Sequence, residues 1–255
     1  MNLTNPEPDL VALRKDLARF IRELSYENYL YGSGQKEVPE IVPIYERFGH
    51  LFAKDLAKNC LDRKRSAHDE EEKRSYKHLY QFAFFGYVGN LCKRKYEELA
   101  KKMNELSINV RSEKIGYRSI VPRLTNEPDA EIRREIDDGM ASLELELNEI
   151  RKEIWDITNE VFRDFGYSDY IEGCSDTLGI DYEWLKEELI LLLDNTEKKY
   201  YEEFIKFSED RLGYTIDKAS KCDFAYLMRG DEWDDKFPVD GMVEKCTKFL
   251  EHMKI

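Results

Sequence analysis

Apolar residues recur at steps of three and four along most of this chain, the spacing that puts side chains on one face of an α-helix. Leu10, Leu13, Leu17, Phe20, Ile21 and Leu24 follow Pro8, which a first helical turn tolerates, and predict a helix that stops before Gly32-Ser33-Gly34. A second is expected from about Pro39, with Ile41, Ile44, Phe48, Leu51 and Phe52 on its apolar side. The anions Asp69 to Glu72 suit the start of a third, in which Tyr76, Leu79, Tyr80, Phe82, Ala83 and Tyr87 form an aromatic face and which runs to about Met103. Between Leu106 and Val121 the period drops to two at Ile108 and Val110 and again at Ile115 and Tyr117, so a short β-hairpin fits there.

The longest regular pattern follows. Ile132, Ile136, Met140, Leu143, Leu147, Ile150, Ile154, Ile157, Val161 and Phe165 predict one helix from Asp129 to Phe165, about 55 Å long at 1.5 Å per residue, stopped by Gly166. Asp181 then suits the cap of a helix whose Leu185, Leu189, Leu192, Thr196, Tyr200, Phe204 and Phe207 make a stripe ending at Gly213. Asp217 is expected to open another helix reaching Arg229, and Asp240 to Met253 a last one after Phe237-Pro238. The reading is all-α, elongated, with about seven helices and one short hairpin near 106–121. It is taken as a single helical unit over 1–255, with 1–104 as N-terminal helices and 105–255 as the hairpin and long-helix region.

Composition agrees: 13 Gly and 7 Pro among 255 residues is sparse, and 36% of residues are charged. The formal net charge of −13 repels phosphate backbones, and the basic runs Arg63-Lys64-Arg65 and Lys93-Arg94-Lys95 are short, so nucleic acid is excluded as a partner. The longest apolar run, Leu189 to Leu193, falls far short of the ~20 residues that cross a bilayer, and the first eight residues carry no basic-then-apolar leader. No membrane partner and a cytoplasmic location are therefore expected. Cys60, Cys92, Cys174, Cys222 and Cys246 are odd in number and scattered, and read as reduced, mostly buried thiols.

Motif chemistry gives no catalytic set and no metal site. His50, His68, His78 and His252 lack the i, i+4 spacing of a helical zinc site, and there is no H-E-x-x-H, no G-x-S-x-G and no G-K-[ST] loop. The run after His68 reads as an acidic helix start, and Asp231, Glu232, Asp234 and Asp235 read as a solvated turn without the central Gly of a calcium loop.

Between about residues 105 and 255, a series of motifs changes the expectation. Thr125-Asn126-Glu127-x-x-Ala-x-x-Arg133-Arg134, the long helix, Phe165-Gly166-Tyr167-x-x-Tyr170, Thr196-Glu197-x-x-Tyr200 and Asp223-Phe224-Ala225-Tyr226-x-x-Arg229 with Asp235-x-Phe237-Pro238 occur in this order. The series resembles the helical region preceding the active site in zinc metallopeptidases of the oligoendopeptidase F and thimet oligopeptidase group. The resemblance implies a mainly helical hydrolase with a channel that admits oligopeptides, and a zinc held by H-E-x-x-H and a downstream Glu. Because that motif is absent here, the chain is expected to hold no zinc itself and to be a substrate-channel wall, inactive alone, as a fragment, a split subunit or a degenerate relative. Its partners would then be the missing C-terminal catalytic segment or a split subunit, and the oligopeptide substrate. Tyr170, Tyr226 and Arg229 are the candidates for substrate contact, since Tyr and Arg stack on or hydrogen-bond to a peptide. The bland alternative keeps both Tyr as packing residues and pairs Arg229 with Asp231, Glu232 or Asp235. The alternative function is a stand-alone helical scaffold or adaptor that binds another protein through an amphipathic groove, which the aromatic face from Tyr76 to Tyr87 and the acidic surface would serve.

Overall fold

The computed structural model describes residues 10–254, so Pro8 lies outside the described residues. Ten α-helices and one two-stranded hairpin make up the regular structure among them, so the chain is mainly all-α. The helices exceed the expected seven because three, at Lys54–Ser66, Tyr117–Thr125 and Tyr170–Cys174, are not announced by the apolar pattern. The described residues group into two compact units that interleave along the chain. One takes residues up to Ser107 together with Ala141–Thr196, and the other takes Ile108–Met140 with the residues from Glu197 onward.

The first unit begins with α1 (Leu10–Gly32), then α2 (Ile41–Arg47), a 3₁₀ turn at Gly49–Phe52 and α3 (Lys54–Ser66). The single helix expected from Pro39 is thus interrupted, yet its apolar set still works as one. Ile44, Phe48, Leu51 and Phe52 pack with Phe20 of α1, whose ring stands edge-on to Phe52 at 4.6 Å. α4 (Glu70–Glu105) starts where expected, because the Asp69 carboxylate accepts from the Glu72 amide and satisfies one of the free first-turn N–H groups. Its Gly86 is a close-approach position: a Cβ there would lie 2.5 Å from Phe52 Cδ1.

Part of the aromatic face of α4 is interior, while Tyr76, Leu79 and Phe82 line an apolar groove with Leu13 and Leu17 of α1. Tyr80, Ala83 and Phe84 are sealed from solvent against Cys60 and Leu61 of α3, against Val161 and Phe162 of α6 (Ala130–Asp164) and against Phe165 just after it. Phe84 meets Phe162 edge-on at 4.8 Å and Phe165 at 5.0 Å. The apolar stripe of α6 is buried at Leu143, Leu147, Ile150 and Val161, as its spacing required. Gly166 follows with φ +90°, a left-handed stop that L side chains rarely adopt. A short α7 (Tyr170–Cys174) and a π-helical turn (Ser175–Gly179) come next, neither of them expected, and then α8 (Tyr182–Leu212), capped by the Asp181 carboxylate on the Trp184 amide.

The α8 stripe departs from expectation. Leu189, Leu192, Tyr200 and Phe207 are 42% to 58% exposed, and the helix as a whole has apolar residues on every side rather than along one.

In the second unit, β1 (Ser107–Val110) and β2 (Glu113–Gly116) form the predicted hairpin, with Ile108, Val110 and Ile115 buried between exposed neighbours. Gly139 of α6 lets the hairpin approach, since a Cβ there would sit 2.9 Å from Ile108 Cγ2. An unpredicted α5 (Tyr117–Thr125) leads into α6. The helix expected from Asp217 is replaced by a 3₁₀ turn at Ile216–Lys218 and by α9 (Lys221–Leu227), because Ser220 and Asp223 form a capping box that starts the helix there. α10 (Met242–His252) closes the described chain.

Four of the five thiols, Cys60, Cys92, Cys174 and Cys222, are buried, whereas Cys246 is exposed on α10. No helix among the described residues is long and apolar enough to cross a membrane.

Candidate functional site

Three candidates for substrate contact fall in different surroundings. Tyr170 opens α7 in the first unit, and its ring packs 4.9 Å from both Trp155 and Phe162. A hydrogen bond with the Cys174 thiol, together with burial, holds its phenol above the ordinary range. Tyr226 and Arg229 lie in the second unit, at the end of α9 and just after it.

Around these two, the second unit gathers a polar cluster. Arg133, in the second turn of α6, is 1% exposed, as is the side chain of Asp223 in α9. Arg133 Nε donates to Asp223 Oδ1 at 2.8 Å, Nη1 donates to the carbonyls of Glu127 and Pro128 at 2.8 Å each, and Nη2 donates to the Tyr214 hydroxyl at 3.0 Å. The other Asp223 oxygen accepts the Ser220 amide at 2.8 Å. Every strong hydrogen-bonding direction of the fork is used, the condition under which a charge survives burial. Burial works to raise the Asp223 carboxyl, but the Ser220 amide, Arg133 and Tyr214 outweigh it and hold the group below its usual range. The guanidinium lies over the Tyr226 ring, 4.5 Å from its centroid, and Arg211 approaches that ring at 5.9 Å.

Arg229 grips Asp234 through two parallel bonds of 2.8 and 2.7 Å, and its Nε donates to Asn126 Oδ1 at 2.8 Å. Its acidic partner is therefore Asp234 rather than Asp231, Glu232 or Asp235; Arg211 takes Asp231 and Glu232 instead. The acidic turn is thus an ion-paired corner. Arg133 and Asp223, though part of the motifs, escaped nomination because charged residues read as surface residues when only their order is known. The Ser220-x-x-Asp223 spacing was the available signal, since a capping box fixes where that carboxylate points.

A second polar chain, part-buried, crosses the first unit. The hydroxyls of Tyr80 and Tyr167 lie 2.9 Å apart, Tyr167 donates to Asp176 Oδ2 at 2.6 Å, and Lys64 Nζ donates to Asp176 Oδ1 at 2.7 Å and to its carbonyl at 2.8 Å. Burial tends to raise the Asp176 carboxyl, and Lys64 and Tyr167 overcome it to hold the group low. Asp176 and the sealed Thr177, whose hydroxyl has no protein partner, belong to the π-helical turn. Such turns shift side-chain register within a helix, which is why no helical period announced this cluster.

What these arrangements can do is bounded by their bonding. The Arg133–Asp223 pair is sealed and saturated, so it fixes the ends of α6 and α9 rather than meeting a ligand. Tyr226 serves as the lid of that pair, and Arg229 offers a ligand only what Asp234 and Asn126 leave free. Among the described residues, no three His, Cys, Asp or Glu side chains are grouped so as to hold a metal. No family model matches this chain, and no curated protein or solved structure matches it.

Proposed function

We propose that this chain is the helical, substrate-channel-forming portion of an oligopeptidase-like zinc metallopeptidase and is not catalytic by itself. One observation supports this reading. Motifs that carry the resemblance, about a hundred residues apart, meet in one cluster: Asn126 bonds Arg229, the Glu127 carbonyl and Asp223 bond Arg133, and Tyr226 covers it. Residues that together lock one helix junction are the kind that a signature of fold would contain. In this reading Tyr170 in the first unit, and Tyr226 and Arg229 in the second, are each candidates for peptide contact, and zinc, H-E-x-x-H and its general base come from a catalytic segment that this sequence does not contain.

The test is to express the chain with the polypeptide encoded next to it and to measure zinc by elemental analysis and cleavage of a quenched fluorescent oligopeptide. The chain alone is expected to give neither, and the complex both. A neighbouring polypeptide without H-E-x-x-H, or a complex in which chelation leaves cleavage unchanged, overturns the reading. The adaptor alternative draws on a different observation, the exposed apolar residues of α8 and α10. The Tyr76–Tyr87 face serves it only in part: Tyr80 and Ala83 are sealed core, whereas Tyr76, Leu79 and Phe82 line an apolar groove with Leu13 and Leu17 of α1.

A further inference from the structure

Within the first unit, α1 and α4 meet at one end and part at the other. The rings of Phe20 and Phe82 lie 6.4 Å apart and tie the two helices to the core around Phe52. Toward the start of both helices they leave a groove of about 460 Å³, with Leu13 and Leu17 on one wall and Tyr76, Leu79 and Phe82 on the other. Each set falls on one face of its helix, at steps of three or four residues. Apart from Tyr76 these side chains are only half-buried, so the groove keeps an apolar lining that the described residues do not cover.

The mouth of the groove is acidic. Asp69, Glu71 and Glu72 line it, and Arg14 is the only Lys or Arg among the lining residues. Asp69 caps α4 through the Glu72 amide, and Glu70, outside the groove, lies 3.7 Å from Lys73. Neither the Glu71 nor the Glu72 carboxylate has an ion-pair partner among the described residues. A helix N-terminus answers such a run with about half a positive charge. Set with Arg14 against three carboxylates, and with histidine counted neutral, that half-charge leaves the mouth about one and a half charges negative.

We propose that this groove binds a small amphiphilic cation, an apolar chain or ring system ending in an ammonium or guanidinium group. The volume of about 460 Å³ falls within the ~300–1,000 Å³ of small-molecule sites. The apolar body releases water from the leucines and Phe82, and the head meets the free carboxylates at the mouth. A partner helix fits less well. On α1 the apolar wall spans one turn, Leu13 to Leu17, or about 6 Å, short of the about 10 Å over which i to i+7 anchors reach. The chain's own first nine residues carry Glu7 and Asp9 and no Lys or Arg, and a second copy brings a net charge of −13, so both repeat the sign of the mouth. This inference goes beyond the peptidase reading and does not depend on it.

Decyltrimethylammonium is the probe, with decyl maltoside and decyl sulfate as neutral and anionic controls of the same chain length. Each is titrated into the full chain by isothermal calorimetry below its critical micelle concentration. One decyltrimethylammonium per chain is expected, bound about tenfold more tightly than either control. Glu71→Gln combined with Glu72→Gln should weaken it about three- to tenfold, the range of two exposed charge contacts, and Arg14→Gln should tighten it. Leu17→Gln should weaken the cation and the maltoside alike. All four positions are exposed or half-buried, so helical circular dichroism should not change. Decyl sulfate bound as tightly as the cation would overturn the proposal, as would the absence of saturable binding. Weakening by the two glutamate changes without any by Leu17→Gln would put the cation on surface charges outside the groove and overturn it as well. So would tighter binding after removal of residues 1–9, because the chain's own N-terminus would then be the occupant.

Discussion

Asp223→Asn tests the buried cluster of the second unit. The substitution keeps the volume and the Ser220 contact but removes the charge that Arg133 faces at 2.8 Å, leaving a guanidinium that is 1% exposed without its anion. Breaking one side of a buried pair costs about 3–5 kcal/mol, because the remaining charge has lost its return for desolvation. The cost should sit near the lower end here, since the Glu127 and Pro128 carbonyls and the Tyr214 hydroxyl still accept from Arg133. Arg133→Met should cost more than Asp223→Asn, because it orphans those two carbonyls and that hydroxyl, at about 1–3 kcal/mol for each buried group left unmade. Urea unfolding gives the totals, and hydrogen exchange by mass spectrometry locates them: protection should fall in α9 and in the first turns of α6 before it falls in α4. The pH dependence has a defined sign. Asp223 is held below its usual range in the folded chain, so its contribution is complete above the unfolded carboxyl value of about 3.9 and is lost as pH falls through the folded value. The gap between the parent and Asp223→Asn should accordingly be full at neutral pH and shrink in acid. A loss within about 0.5 kcal/mol at pH 7, the size of an ordinary surface change, would refute the reasoning.

Three further outcomes are expected. Leu147→Lys should destabilise by several kcal/mol and Glu146→Lys by no more than about 0.5, since Leu147 is 0% exposed and Glu146 lies on the solvated side of the same helix; equal melting shifts would mean the α6 stripe carries no burial. Gly86→Ala should cost about 1–3 kcal/mol by forcing its methyl onto the sealed Phe52 ring, against a gain in helix propensity of at most about 1, and a more stable variant by thermal melting would show that Phe52 gives way freely. Tyr167→Phe strips the hydroxyl that joins Tyr80 to Asp176, so it should cost about 1–2 kcal/mol at neutral pH; the cost should lessen in acid as Asp176 protonates, and a cost that is unchanged or larger in acid would count against the bond to the carboxylate.

Sequence alone determined the elements whose cause is local. The apolar spacing of α6 and the Gly166 stop, the Asp69 and Asp181 caps, the alternation of the hairpin and the Gly213 end of α8 are each set by residues within a turn or two, and each stands where its pattern placed it. Periodicity could not tell whether an apolar face would find a partner, because that depends on segments far away in the chain. Tyr80, Ala83 and Phe84 of α4 are sealed by α3 and by residues 161–167, while the equally apolar middle of α8 is left in solvent. Nor could order alone show that Arg133 and Asp223, ninety residues apart, neutralise each other, or that Lys64 reaches Asp176 across 112 residues. A charge reads as surface until its counter-charge is brought to it, and only the tertiary structure, by closing those distances to under 3 Å, allowed full burial of Arg133 with Asp223 and partial burial of Lys64 with Asp176.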